Sequence, residues 1–123
     1  ISERVLRQLI PIAKIRGNII PILADARKPE DYENIVLEKV DLIYCDVSSP
    51  DQVDIIIRNS QKFLISNGYA VIAIKSQSID AVTPPKQVYR ECVEKLEKYF
   101  EILDKVELDP YEKFHLFVVM RLR

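Results

Sequence analysis

VDLIYCDVSSPDQVDIIIRNSQKFLISNGYAVIAIK, residues 40–75, is the stretch that decides the fold. Its two apolar runs, Val40 to Cys45 and Tyr69 to Ile74, have the length and Ile/Val content of buried strands. Between them a helix is expected from about Pro50, a residue suited to a first helical turn, to Ser66, with Asn67 and Gly68 as its stop. Strand, helix and strand in that order imply two parallel neighbours joined by a helical crossover.

Each run ends on one ionisable residue, the first on Asp46 and the second on Lys75. Inside a parallel sheet the side chains are covered, whereas residues just past the carboxyl ends open into the crevice where ligands bind. A third run, LFVVM, is preceded by His115, the sole histidine. His115 reaches the same rim only if its strand runs antiparallel to the others. The stretch FEILDKVEL (100–108) is joined to HLFVVMRL (115–122) by DPYEKF, too short for a helical crossover and suited to a hairpin. One antiparallel terminal strand is therefore expected.

Before this core, Ser2 is placed to cap a helix running to about Ile15, with Val5, Leu6, Leu9, Ile10 and Ala13 on one stripe. Pro11 within it argues for a kink or break. NIIPILA (18–24) reads as an apolar strand ending in Asp25 and Ala26, and Pro21, lacking a ladder donor, puts it at an edge. Pro29 to Val36 reads as a short helix. After Lys75, residues 82–85 form a loop and Lys86 to Tyr99 carries helical spacing through Val88, Tyr89, Cys92, Val93 and Leu96. The whole reads as one α/β unit, a mainly parallel sheet with helices on both faces.

With 123 residues, 48% hydrophobic and 30% charged, the chain can bury one core. A net charge of −1 and a pI near 5.9 give no basic field, so this segment alone is not built for tight, sequence-independent binding to a phosphate backbone. Cys45 and Cys92 have neither metal-ligand spacing nor a secretory context and read as reduced core thiols. No apolar run approaches the roughly 20 residues needed to span a bilayer. A cytoplasmic protein without a metal site or membrane partner is expected. The two glycines, Gly17 and Gly68, leave no Gly-rich nucleotide loop, and the opening at Ile1, directly on a helix cap, suggests a segment of a longer protein.

A ligand across the strand ends would meet Asp25, Asp46, Lys75 and His115, a set that binds polar groups and handles protons. Each also has a structural reading. Asp25 and Asp46 could cap the turns that follow them, Lys75 could snorkel, and His115 could serve packing. The six tyrosines are scattered without the basic interleaving of a base-stacking platform.

Four ordered blocks carry a resemblance: NIIPILADARKPEDY (18–32), VDLIYCDVSSPDQ (40–52), GYAVIAIKSQSID (68–80) and PYEKFHLFVV (110–119). Through them nearly the whole chain resembles fibrillarin, especially its archaeal form, the methyltransferase subunit of box C/D guide-RNA particles. The resemblance implies a Rossmann-like, S-adenosylmethionine-dependent enzyme that transfers a methyl group to ribose 2'-hydroxyls of guide-selected rRNA or tRNA. It implies that Asp25 and Ala26 meet the adenine and that Asp46, Val47, Ser48 and Ser49 border the methionine part. Ile1 matches the residue after the ribose-binding acid. Asp46, Lys75 and His115 match three members of the family's Lys-Asp-Lys-His catalytic set, with Lys75 as proton acceptor or organiser of the attacking hydroxyl.

The implied partners are guide and substrate RNA, a Nop-family scaffold protein and a kink-turn-binding protein of ribosomal type. The implied location is the cytoplasm for an archaeal form or the nucleolus for a eukaryotic one. The family usually has Ala-Gln where this chain has Ser48-Ser49. Its Gly-rich loop, ribose-binding acid and first catalytic lysine lie in a portion absent here. In the sheet order 3-2-1-4-5-7-6 that the resemblance implies, this chain supplies strands 3 to 7, the C-terminal part of one methyltransferase domain. The expectation is that an N-terminal piece, on a second chain or lost to cleavage, supplies the rest. A non-catalytic α/β module docking on a ribonucleoprotein scaffold is the alternative.

Overall fold

A computed structural model describes residues 2–123, and Ile1, matched above to a cofactor contact, lies outside the described residues. The chain forms two compact units, one up to Leu37 and one spanning Glu38–Arg123.

The first unit is built on helix α1, Glu3–Arg16. Ser2 caps it as expected, its Oγ accepting from the Val5 N–H at 3.3 Å. Gly17 closes it at φ 72°, donating its N–H to the Ala13 carbonyl at 2.9 Å. The break expected at Pro11 does not occur, because the ring costs one intrahelical hydrogen bond and the remaining ladder carries the helix through to Arg16. The strand expected over 18–24 is also not formed. Among the described residues nothing hydrogen-bonds to this segment as a ladder, and Pro21 has no N–H to offer one. The helix expected over Pro29–Val36 contracts to a single 3₁₀ turn, Pro29–Asp31, followed by turns.

The second unit is a four-stranded sheet with helices packed on it. Its elements are β1 (Val40–Cys45), α2 (Gln52–Phe63), β2 (Leu64–Lys75), the short α3 (Ser76–Ile79), α4 (Pro85–Glu97), β3 (Phe100–Glu107) and β4 (His115–Leu122). The sheet order is β1-β2-β4-β3. β1 and β2 are parallel, and β4 is antiparallel to both β2 and β3. This is the 4-5-7-6 portion of the order given above, with the expected hairpin at its end.

The helix between β1 and β2 is shorter than expected, and the strand after it is longer. The chain turns extended at Leu64, so Val40 pairs with Leu64 while Leu42 already pairs with Tyr69. Residues 65–68 bulge out of the ladder, with Asn67 at φ 63°. Asn67 and Gly68 thus serve a strand bulge rather than a helix stop.

α2 and α4 cover one face of the sheet. That face carries Ala70, Ile72 and Ile74 of β2 and Leu116, Val118 and Met120 of β4, all buried, as are Ile56 of α2 and Val88 and Leu96 of α4. The opposite face is open: Leu42, Tyr44, Tyr69 and Val106 are each roughly half exposed. Helices on both faces were expected, and within this unit only one face receives them. No helix among the described residues is long and apolar enough to cross a membrane.

Gly68 is a steric requirement. A Cβ there would lie 2.7 Å from Leu64 Cδ1 and 2.9 Å from the Ile65 carbonyl oxygen. The backbone contact cannot be relieved by a rotamer change. Gly68→Ala should therefore cost about 1–3 kcal/mol, read as a lowered denaturation midpoint at unchanged m-value; an unaltered midpoint would show that the bulge yields freely.

Candidate active site

The carboxyl ends of β1 and β2 and the amino end of β4 meet at one rim of the second unit. Lys75 is the last residue of β2 and is the cross-strand partner of His115, the first residue of β4. Asp46 follows β1 directly, and its carboxylate Oδ1 accepts a hydrogen bond from Lys75 Nζ. The Val47 carbonyl lies 3.5 Å from the same nitrogen. Lys75 is well covered, its side chain 15% exposed, whereas Asp46 is 53% exposed. The stem of Lys75 thus runs through apolar surroundings to an ammonium held at the mouth of the rim.

The His115 Nδ1 lies 2.8 Å from the Lys113 carbonyl. A carbonyl only accepts, so this contact places the proton on Nδ1 and leaves Nε2 as the lone-pair nitrogen of the neutral ring. Phe114, between the two, sits at φ 63°. Its carbonyl accepts the Ser76 N–H at 3.0 Å and lies 3.3 Å from the Ser76 hydroxyl. This seam ties the approach to β4 to the residue following Lys75.

The loop from Asp46 to Ser49 divides by exposure. Asp46 and Ser48 are exposed, Val47 is half-buried and Ser49 is buried. The Ser49 hydroxyl donates to Asp51 and its carbonyl receives the Gln52 Nε2 at 2.8 Å. Of the stretch expected to border a cofactor, Asp46 and Ser48 therefore present their side chains to solvent, and Ser49 braces the loop.

Asp25 and Ala26 belong to the first unit. The Asp25 Oδ1 accepts the Arg27 N–H at 2.9 Å and its other oxygen lies 3.6 Å from the Arg27 guanidinium. This is a turn of the kind anticipated as the structural reading of a strand-end aspartate. The second unit accordingly brings together Asp46, Lys75 and His115 and the loop to Ser49.

Cys45 borders the rim without serving it. Burial pushes its thiol from the ordinary 9.0 up to about 11, against smaller lowering influences from the Val47 backbone and Lys75. It stays protonated, which excludes it as a thiolate nucleophile near neutral pH. Among the described residues no group of His, Cys, Asp and Glu could hold a metal ion. Reading from sequence missed Gln52, a fully buried polar side chain whose Oε1 accepts the Lys75 N–H at 2.9 Å. The only signal was a glutamine at the start of a mainly apolar helix face, which spacing cannot distinguish from a solvated residue.

The unequal exposure of the ion pair gives an asymmetric prediction. Asp46→Ala leaves the ammonium of a largely covered side chain with one long contact, to the Val47 carbonyl, and should cost about 1–3 kcal/mol. Lys75→Met keeps the buried stem and frees a carboxylate that water already reaches, and should cost less than about 1 kcal/mol. Denaturant unfolding of both variants would reveal equal losses if the pair were energetically symmetric.

A family model described as Fibrillarin matches residues 1–123. A fibrillarin-like rRNA/tRNA 2'-O-methyltransferase of Thermococcus sibiricus is 48% identical over 120 residues, covering 98% of this chain and 53% of the relative. The structure of a fibrillarin/Nop5p complex superposes with a TM-score of 0.95 at 37% identity, over 99% of this chain and 58% of that one. Aeropyrum pernix fibrillarin, solved with natively bound S-adenosyl-L-methionine, gives 0.84 at 42% identity, over 97% and 52%. The chain spans about half the length of the curated relatives it matches.

Proposed function

Because the chain belongs to the fibrillarin family, we propose that it is the C-terminal part of an S-adenosylmethionine-dependent RNA ribose 2'-O-methyltransferase domain. The observation that carries this reading is the Lys75–Asp46 hydrogen bond with His115 on the adjoining strand. The fibrillarin solved with its cofactor and the fibrillarin solved with Nop5p support the cofactor and scaffold parts of it.

The donor set fits the cofactor. Asp46, half exposed and with Oδ2 uncommitted to Lys75, offers negative charge to a cationic sulfonium and ammonium, and Ser48 adds an exposed hydroxyl. Asp46, Val47 and Ser48 would hold the methionine part, with Ser49 bracing the loop, and Asp25 and Ala26 would meet the adenine. When bound, the cofactor supplies a methyl group already activated on sulfur. The residues of this chain then have to align the ribose hydroxyl with it and remove the proton. Lys75, donating to Asp46, is held as a donor and fits the role of organiser. The proton acceptor is Nε2 of His115, whose ring is oriented by the Lys113 carbonyl.

The remaining half of the domain is supplied by an N-terminal portion of the same protein, whether on this polypeptide or a separate one. Two features ask for it. Among the described residues β1 pairs with β2 alone, so its outer edge is open, and Leu42 and Tyr44 beside that edge are exposed. Residues 18–24 have strand character and form no ladder. Guide RNA and substrate RNA, a Nop-family scaffold and a kink-turn-binding protein complete the particle, consistent with a chain whose net charge of −1 supplies no basic field for RNA. A cytoplasmic location goes with this archaeal-type reading.

Adding the N-terminal portion should slow hydrogen exchange at residues 18–24 and at the outward amides of Val40–Cys45; unchanged exchange there would argue against strand completion. In the assembled particle, Lys75→Ala should lower methyl transfer by about 10²–10⁴-fold while S-adenosylmethionine affinity stays within a few fold. Equal loss of both would remove Lys75 from its role, and absence of cofactor binding altogether would favour a docking module without catalysis.

A further inference from the structure

We propose that Gln52 is the positioning residue that sets Lys75 for the reaction; the inference rests on the methyl-transfer reading above. Lys75 is a four-torsion side chain whose usefulness depends on where its nitrogen stands. Asp46 holds the far end. The near end, its backbone, is held from two sides. On one side β4 sets His115 opposite it, and the Phe114 carbonyl just ahead of β4 accepts the next N–H, that of Ser76, at 3.0 Å. On the other side β1 has already ended, since Cys45 pairs with Ile72 and β2 runs on for Ala73, Ile74 and Lys75.

Gln52 fills the place that a further β1 residue would have taken. It is the first residue of α2 and its side chain is completely buried. Oε1 accepts the Lys75 N–H at 2.9 Å, and Nε2 donates to the Ser49 carbonyl at 2.8 Å. One amide thereby bridges the strand end carrying Lys75 and the loop that starts at Asp46. The residues meet across 23 positions of sequence.

The chemistry requires an amide of this length. The bridge needs one acceptor for an N–H and one donor for a carbonyl, which fixes the orientation of the amide group. An ionised glutamate could not donate to Ser49, and asparagine is one methylene too short to reach both partners. With the bridge lost, the strand-end N–H of Lys75 loses its acceptor, the Ser49 carbonyl keeps the backbone N–H of residue 52 at 3.3 Å, and the separation of Lys75 from Asp46 is no longer set from the backbone. Misplacement on the order of 1 Å at a reacting group is worth about 100-fold in rate.

The test uses the complete protein in its particle, with single-turnover methyl transfer and cofactor affinity measured for Gln52→Met, Gln52→Asn, Lys75→Ala and the Lys75→Ala combinations. Gln52→Met removes the hydrogen bonds at nearly constant volume, and Gln52→Asn carries the test if the methionine variant does not fold. The expected result is a rate about 10- to 100-fold lower with cofactor affinity within about threefold. In the Lys75→Ala background the Gln52 substitutions should bring no further loss, because a residue acting through Lys75 has nothing left to position. Unchanged rates, or losses that add to that of Lys75→Ala, would overturn the inference and leave Gln52 a purely structural residue. If Lys75→Ala alone is without effect, the reading of the site fails first.

Discussion

The antiparallel pairing of β4 on β2 is the constraint from which the site follows. Lys75 ends β2 and His115 begins β4, and only opposite strand directions bring an end and a beginning side by side. The pairs from Tyr69↔Arg121 to Lys75↔His115 span the shared ladder. A parallel β4 would carry its histidine to the far end of that ladder, roughly 20 Å away at about 3.3 Å per residue. The hairpin with β3 enforces the direction, since a seven-residue connection from Leu108 to Phe114 leaves no room for a crossover.

The rim then gathers charge where burial is incomplete. An ion pair of this kind contributes little net stability, because desolvating the lysine offsets most of the attraction. Its value is geometric. Asp46 fixes the nitrogen, the Val47 carbonyl stands near it, and the Gln52 amide and the His115 ladder hold the backbone behind it. Three elements that end at different heights are braced by side-chain and carbonyl hydrogen bonds, which take over where the regular ladder has run out.

The same sheet is unequally covered. α2 and α4 bury Ala70, Ile72, Ile74, Leu116, Val118 and Met120, while Leu42, Tyr44 and Tyr69 on the opposite side remain accessible. Packing partly mitigates this: Tyr44 meets Phe117 edge to face at 6.1 Å, and Arg121 lies 5.2 Å over Tyr69 and donates to its hydroxyl at 3.0 Å. An apolar face of this kind beside a sheet edge is a surface on which further elements can pack and pair.

Sequence by itself determined the alternation of strands and helix over residues 40–75, the closing hairpin, the cap at Ser2 and the ionisable residues Asp46, Lys75 and His115, because each is written in local periodicity, turn chemistry and strand-end position. It misplaced what depends on neighbours. NIIPILA has strand composition but no ladder partner among the described residues, Asn67 and Gly68 shape a bulge because β2 starts pairing earlier than its apolar run suggests, and Pro11 is carried by the helix around it. Only the tertiary structure decided that Lys75 is held by Asp46 at one end and Gln52 at the other. Hydrogen bonds between residues 23 and 29 positions apart leave no periodic trace in the chain and exist only once β1, α2 and β2 have packed.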